Sequence, residues 1–468
     1  MITKTDFQSY LEWANLDSKQ HQQEGVNWMV DRERNHHMGV SGGIIADEMG
    51  LGKTIMMIGT MLENPKERTL IVLPLALLPQ WKKEIHRTTG IMPLVYHGRE
   101  KSYTPLAKLK AANIVMVTYH EVQISMKDFD LKVPSAVHKV VWDRVIFDEA
   151  HHLRNKTAQQ NGAFKLVAGI RWMITGTPIQ NSMSDFFSLC HVLGYPDTFY
   201  SKHEGREEIF AKAMMRRTKK EVGLKMPELH EHKVHVGWKN DDSETLAAEM
   251  RDVAISGFGE GFGEGIRVDV NEFDAAAKLV GMIRGKQMCI LPKMLKKKAI
   301  DYYDEGFFDE DYGKMVFRGV HGTSKLDAVF DMINERGANG NQKIVFCHFR
   351  MEMRELKRRI EGIGLNTAIV DGTVSTKERT KLLTSGDLDV LILQINTCCE
   401  GLNLQSFNEI YFVSPHWNPA VEDQAVARAH RIGQMKDVEV FRFYMEGTEE
   451  SQDAFCKFRQ DQKREIYI

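Results

Sequence analysis

Gly50-Leu51-Gly52-Lys53-Thr54 puts two glycines ahead of a lysine and a hydroxyl, at the start of a helical run over residues 55–62. Glycines let backbone N–H groups wrap a phosphate. A helix N-terminus adds its positive end. In such a loop Lys53 reaches the β- and γ-phosphates of ATP and the Thr54 hydroxyl binds Mg2+. Asp47 stands where the general phosphate-loop pattern has its first glycine. A chance glycine-lysine-threonine turn competes with this reading while the string is taken alone.

Three further groups bear on the same chemistry. Asp148-Glu149-Ala150-His151 follows an apolar run that ends at Phe147. Carboxylates at the carboxyl end of a buried strand lie where α/β sheets bind ligands. Asp148 is expected to hold Mg2+ through water, and Glu149 to orient or activate the attacking water. A solvated acidic turn is the alternative; no His-Glu-x-x-His spacing supports a zinc protease. Thr175-Gly176-Thr177-Pro178 follows another apolar run, and its hydroxyls can hydrogen-bond the carboxylate loop and relay its state; a simple turn competes. Gln424, Arg428 and Arg431 are spaced i, i+4, i+7, which on a helix is one face. Trp417-Asn418-Pro419 and Gly433-Gln434 bound that helix. A solvated stripe has the same spacing, but two arginines presented to a nucleotide also fit transition-state charge stabilisation. If residues 47–54 and 424–434 meet across a cleft, one half of the chain holds ATP and the other senses it.

The elements that must position these residues are short. Leu70-Ile71-Val72-Leu73, Ile114-Val115-Met116-Val117, Val145-Ile146-Phe147 and Trp172-Met173-Ile174 are compact enough for buried parallel strands. Helical patterns separate them, as over residues 78–86. The same grammar returns in Ile344-Val345-Phe346, Ala368-Ile369-Val370, Val390-Leu391-Ile392-Leu393, Ile410-Tyr411-Phe412-Val413 and Val438-Glu439-Val440-Phe441. Two doubly wound α/β domains are predicted. Between them residues 240–312 are rich in acidic side chains. They contain Gly257-Phe258-Gly259-Glu260-Gly261-Phe262-Gly263-Glu264-Gly265, read as a surface insertion because glycine at every second position does not hold a helix cheaply.

At 468 residues the chain is too long for one ordinary core. Its 43% hydrophobic and 27% charged content fits a globular enzyme. No apolar run approaches the roughly 18–20 residues of a membrane span. No secretory leader is expected from residues 1–15. A net charge of −2 does not announce a nucleic-acid binder, so any such binding must use local patches. Candidate patches are Lys82-Lys83, residues 216–220, Lys296-Lys297-Lys298 and residues 354–359; for each alone a solvated face is the blander reading. No two of the six cysteines have the two-residue gap of a zinc or redox site. Reduced thiols in an intracellular protein are expected.

Taken together, these strings resemble the Swi/Snf-type family of double-stranded-DNA translocases within helicase superfamily two. The likeness runs in family order over about residues 15–460. Gln22-Gln23-Glu24-Gly25-Val26-Asn27-Trp28-Met29 resembles the adenine-reading segment, with Gln22 as reader. Gly42-Gly43-Ile44-Ile45-Ala46 with residues 47–54 resembles the family's phosphate loop, Asp47 included. Leu73-Pro74-Leu75-Ala76-Leu77-Leu78-Pro79-Gln80-Trp81 and Val117-Thr118-Tyr119 resemble DNA-tracking motifs. Residues 147–155 and 174–181 resemble the Mg2+/water and coupling motifs, Arg216-Arg217-Thr218-Lys219 the end of the first lobe, and Lys325-Leu326-Asp327 the opening of the second. Gly401-Leu402-Asn403-Leu404, Trp417-Asn418-Pro419 and residues 424–434 complete the set. Cys398-Cys399 stand where relatives usually have two glycines.

The resemblance implies two RecA-like parallel-sheet lobes in tandem with a helical insertion: residues 1–235, an inserted region over 236–320, and residues 321–468 with a terminal bracing helix. It implies a DNA-dependent ATPase that moves on double-stranded DNA and remodels protein–DNA complexes. A strand-separating DNA or RNA helicase stays open as the alternative. So does a nucleic-acid scaffold that uses ATP only as a conformational ligand, against which intact Lys53, Asp148, Glu149, Arg428 and Arg431 argue. By the family's motifs, Gln22, Gly50, Gly52, Lys53, Thr54 and Gln424 bind ATP, and Thr54 and Asp148 hold Mg2+. Pro74, Gln80, Trp81, Thr118, Arg350, Asn403 and Trp417 are DNA-contact candidates. Thr175, Thr177 and Gly401 couple the two. Duplex DNA, alone or with DNA-bound proteins, is the implied partner. The implied state is a monomer without membrane association, in a reducing compartment that contains DNA.

Overall fold

A parallel strand built from Val, Ile and Leu must have both faces covered, and the chain solves this twice. The computed structural model describes residues 4–446 apart from 126–134, 155–156, 180–181, 257–274, 307–308, 323, 385, 396–401 and 403. It divides into two units, Met1–Lys225 and Met226–Ile466. The glycine-alternating segment, Cys398-Cys399, Gly401, Asn403 and the proposed bracing helix lie outside the described residues.

In the first unit the strands are β1 (Ser41–Ile45), β2 (Thr69–Leu73), β3 (Leu94–Val95), β4 (Ile114–Thr118), β5 (Val141–Asp148), β6 (Val167–Ile174) and β7 (Met214–Met215). They form one parallel sheet in the order β3-β4-β2-β5-β6-β1-β7. Period-two geometry sends alternate side chains to opposite faces. Leu70, Val72, Val115, Val117, Val145 and Phe147 enter one apolar layer. Ile71, Leu73, Ile114, Met116 and Ile146 enter the other.

The second unit has β8 (Leu229–Val236), β9 (Lys343–Cys347), β10 (Thr367–Val370), β11 (Val390–Gln394), β12 (Glu409–Phe412) and β13 (Val438–Met445). Their order is β10-β11-β9-β12-β13-β8, again parallel throughout. Among the described residues four α-helices lie between β8 and the helix Ser324–Glu335: Asp241–Ser256, Ala275–Ile290, Lys296–Asp304 and Glu310–Gly319. They have a small core of their own around Leu246, Met288, Leu295 and Val316.

The two tandem parallel-sheet lobes match the predicted fold class. The predicted lobe boundary at 235 differs from the observed division. β8 pairs with β13 from Leu229↔Val438 to Val236↔Met445, so it belongs to the second sheet. Its text, Leu229-His230-Glu231-His232-Lys233-Val234-His235-Val236, is that of a largely exposed edge strand and carries no apolar run. Among the described residues no helix is long and apolar enough to cross a membrane. Cys190, Cys289 and Cys347 are buried.

Candidate active site

Strand order brings the candidate residues of the first unit to one sheet edge. Ile45 of β1 and Asp148 of β5 both align with Ile174 of β6. The loops that leave these strands, over 46–52, 149 and 175–177, therefore emerge side by side at the carboxyl edge. The Thr175 N–H donates to the Ile45 carbonyl at 3.0 Å. Gly176 lets the loops touch: a Cβ there would lie 2.9 Å from Met49 Cγ and 3.7 Å from Lys53 Nζ.

The candidate phosphate loop uses its glycines as the sequence requires. Gly50 and Gly52 have φ of 94° and 88°, the left-handed region open to glycine. Gly52 precedes the helix Lys53–Glu63, and a Cβ on it would meet the Gln22 amide at 2.3 Å. Gln22 is buried and its Nε2 donates to the Leu51 carbonyl at 3.2 Å. The Lys53 ammonium donates to the carbonyls of Asp47 and Glu48 at 2.6 and 3.3 Å. Thr54, on the first turn, is half-buried.

Asp47 serves a purpose that glycine does not. Its fully buried carboxylate accepts the Arg217 backbone N–H at 3.0 Å, Nε at 3.2 Å and Nη2 at 2.5 Å. The strand pairing continues around it: Ala46 N–H donates to Met215 O at 2.7 Å, and Glu48 N–H to Arg217 O at 2.8 Å. The Lys219 N–H donates to the Glu48 carboxylate at 2.7 Å. Residues 215–219 thus clasp the phosphate loop from behind. Sequence reasoning assigned Arg217 no such role; an acid in a buried loop with no counter-charge named was the available signal.

Asp148 closes the row. Its Oδ2 accepts the Trp81 indole N–H at 2.6 Å and its Oδ1 accepts the Glu149 N–H at 3.0 Å. Its carbonyl accepts the Tyr119 hydroxyl at 2.7 Å. Burial, with the Glu149 carboxylate beside it, pushes the Asp148 pKa up, and the Trp81 N–H opposes that. Glu149 has φ of 51°, unusual for a residue with a side chain. Strain of this kind persists where surrounding bonds fix it. Here the His152 N–H donates to the Glu149 carbonyl at 3.1 Å, and Nδ1 of His151 lies 3.4 Å from Oε2 of Glu149. Thr175 is buried, and its hydroxyl accepts the Thr177 N–H at 3.1 Å; the Thr177 Oγ1 is buried with no hydrogen-bond partner.

In the second unit Asn418 caps the helix Pro419–Ala429 by accepting the Ala420 N–H at 3.2 Å. His416 and Asn418 are buried while Trp417 between them is 38% exposed. Glu422, fully buried, accepts the His416 N–H at 2.6 Å and the Arg442 guanidinium at 2.8 Å, which fixes this turn to β13. The predicted shared helical face needs correction. The helix ends at Ala429, so Arg431 lies beyond it, in a turn that includes Gly433 at φ 99°. Gln434 holds that turn: its Nε2 donates to the carbonyls of Gln405, Phe407 and Ala429 at 3.0–3.3 Å. Gln424 Nε2 and Arg431 Nε are buried without hydrogen-bond partners. Burial, then the neighbouring Arg428, lowers the Arg431 pKa from the usual guanidinium value.

The DNA-contact candidates separate by exposure. Gln80 and Trp417 are exposed, and Arg350 is exposed with its Nε 3.0 Å from the Asp371 carboxylate. Pro74, Trp81 and Thr118 are buried, so their side chains do not present themselves to a duplex. Trp81 in particular, 1% exposed, faces Asp148. On its helix, Leu78–Thr89, residues Leu78, Trp81, Ile85 and Thr88 form the buried stripe while Pro79, Gln80, Lys82 and Lys83 face outward.

Two parallel-sheet lobes, the first carrying a phosphate loop and an acidic pair at one sheet edge, define a helicase-type ATPase. The SNF2-related domain family matches residues 21–260, and the helicase conserved C-terminal domain matches residues 324–433. The chain belongs to the SNF2-related family of ATP-dependent, helicase-like ATPases. It is 28% identical over 474 residues to the "Probable global transactivator" of Orgyia pseudotsugata multicapsid polyhedrosis virus, covering 95% of this chain and 89% of that protein. It is 26% identical over 475 residues to the "Putative ATP-dependent helicase/translocase YwqA" of Bacillus subtilis, covering 94% of this chain but 48% of that longer protein. The Pyrococcus furiosus Hef helicase domain has the same fold, with a TM-score of 0.59 at 15% identity over 98% of this chain and all of that one.

Proposed function

We propose that this ATPase is a translocase on double-stranded DNA, which remodels protein–DNA complexes without separating strands. The row made by residues 46–54, 148–149 and 175–177 at one sheet edge is the observation that supports the reading, because it gathers side by side the residue types suited to phosphate binding, water activation and a relay. The exposed Trp417 on a rigid turn, and the Bacillus relative named as a helicase/translocase, favour movement on nucleic acid.

In this reading Lys53 exchanges its two loop carbonyls for the β- and γ-phosphate oxygens of ATP. Gln22 reads the adenine edge beside Gly52. Thr54 and Asp148 are one hydroxyl and one carboxylate. Among the described residues no group of three or more His, Cys, Asp or Glu forms a metal cage. That donor set suits Mg2+, which usually takes one or two protein ligands and fills the rest with phosphates and water. The ion would neutralise charge on the phosphates. Glu149, turned by its left-handed backbone, accepts a hydrogen bond from the attacking water and orients it. We assign charge stabilisation in the transition state to Arg428 and Arg431, and nucleotide contact to Gln424, whose buried amide nitrogen has no hydrogen-bond partner among the described residues. Thr175, Thr177 and Gly401 pass the state of the site onward. The duplex is gripped by its phosphates, so affinity falls steeply with salt and depends little on sequence.

The test is the ATP hydrolysis rate with duplex DNA, single-stranded DNA and RNA in parallel, with triplex displacement and duplex unwinding. Stimulation by duplex with triplex displacement and no unwinding is expected. Unwinding would make the chain a strand-separating helicase, and no stimulation by any nucleic acid would overturn both readings.

A further inference from the structure

Two segments that the translocase reading brings near DNA end on the same residue. Trp81 belongs to the segment after β2, and Tyr119 opens the segment after β4. In the sheet, β4, β2 and β5 are consecutive neighbours, so both segments leave the carboxyl edge beside Asp148. The Trp81 ring sits in the apolar layer with Leu77, Leu78, Ile85, Ile146 and Ile174. An indole has a single donor, and here it is given to a buried carboxylate rather than to a main-chain carbonyl. Tyr119, 6% exposed, gives its hydroxyl proton to the main-chain carbonyl of the same aspartate at 2.7 Å. The Glu149 N–H takes the other carboxylate oxygen.

We infer that Trp81 and Tyr119 are positioning residues that transmit duplex contact on their segments to the orientation of the Asp148 carboxylate. The inference rests on the translocase reading. On the helix that carries Trp81, the outward residues Pro79, Gln80, Lys82 and Lys83 are the ones a phosphate backbone would meet. The inward residue one position away holds Asp148. A hydrogen bond of 2.6 Å between buried groups weakens steeply once the atoms separate past about 3.2 Å. A small displacement or stiffening of the helix by DNA therefore acts on the carboxylate directly. Tyr119 acts on the backbone that carries it, so two neighbouring segments bear on one group. This gives a physical route for DNA to control a carboxylate that it does not touch.

The experiment is calorimetric binding of ADP with Mg2+ to the full chain, with and without a short duplex, for wild type, Trp81→Phe, Tyr119→Phe and the double variant. Phenylalanine keeps each ring and removes only the donor. Coupling is reciprocal, so the factor by which duplex changes nucleotide affinity must equal the factor by which nucleotide changes duplex affinity. Typical couplings are about 5–150-fold. We expect a wild-type factor in this range, reduced at least about threefold in either single variant and to near one in the double variant. Duplex affinity without nucleotide should stay within about twofold. Tyr119→Phe removes a hydrogen bond to a main-chain atom alone and keeps the test open if Trp81→Phe is poorly folded. Folded variants that keep the wild-type factor overturn the inference and leave the translocase reading standing. A wild type that binds no duplex overturns that reading, and this inference with it.

Discussion

Replacing Arg217 by alanine tests the clasp behind the phosphate loop. Asp47 has no exposed side-chain surface, and Arg217 is 18% exposed. Three N–H groups of Arg217 reach that carboxylate, and the substitution removes the two from the guanidinium. It also removes the Nη1 hydrogen bond to the His21 carbonyl at 2.6 Å. Deleting one partner of a buried ion pair costs about 3–5 kcal/mol, because the other charge is left without compensation. The backbone N–H of residue 217 survives, and water can reach the gap on the exposed side, so the low end applies, about 3 kcal/mol. For a unit of this size each kcal/mol is worth about 2–4 °C, so the transition of the first unit should fall by about 6–12 °C. ATP affinity should fall with it, since the Asp47 carbonyl accepts the Lys53 ammonium. Asp47→Asn should cost less, because the remaining cation can turn to solvent. The double variant should fall short of the sum of the singles by about 0.5–3 kcal/mol. Thermal denaturation of the full chain with the three variants gives the stabilities, and calorimetric titration gives the ATP affinity. If Arg217→Ala stays within about 0.5 kcal/mol of wild type, as a surface substitution would, the clasp is not what holds the loop.

Other outcomes follow from the same geometry. Lys53→Ala should abolish ATP hydrolysis and leave duplex binding measurable by gel shift; retained turnover would remove Lys53 from the chemistry. Arg431→Ala should lower kcat far more than ATP affinity, and a variant that loses only binding would make Arg431 structural. In the second unit Glu352 accepts the N–H groups of His348 and Phe349 at 3.0 and 2.9 Å, while burial pushes its pKa up to about 7. The folded state therefore holds a proton that the unfolded chain releases near its ordinary value of 4.5. Its contribution to stability is present below that value and is lost as pH rises toward about 7, with a slope of at most about 1.4 kcal/mol per pH unit. Glu352→Gln should flatten that slope in urea denaturation at several pH values, and an unchanged slope would refute the assignment.

How far the sequence reached can be argued residue by residue. The central strands were legible because a strand buried on both faces needs an unbroken apolar run, and Leu70-Ile71-Val72-Leu73 is one. β8 was not, since an edge strand with histidine, glutamate and lysine facing out has the composition of a loop. Gly50 and Gly52 announced their own left-handed geometry. Asp47 did not announce Arg217, because a contact between positions 47 and 217 leaves no local spacing. The i, i+4, i+7 rule overran the real helix, since the turn at Gly433, held by three carbonyls on Gln434, stops it before Arg431. Trp81 shows the deeper limit. A motif's position in the sequence says which segment meets a partner, but on a helix neighbouring residues point about 100° apart. One faces solvent and the next faces the core. Gln80 and Trp81 therefore point different ways from one motif: the amide is exposed, and the buried indole donates to the Asp148 carboxylate. In the proposed translocase that division lets one helix take part in both duplex contact and nucleotide chemistry.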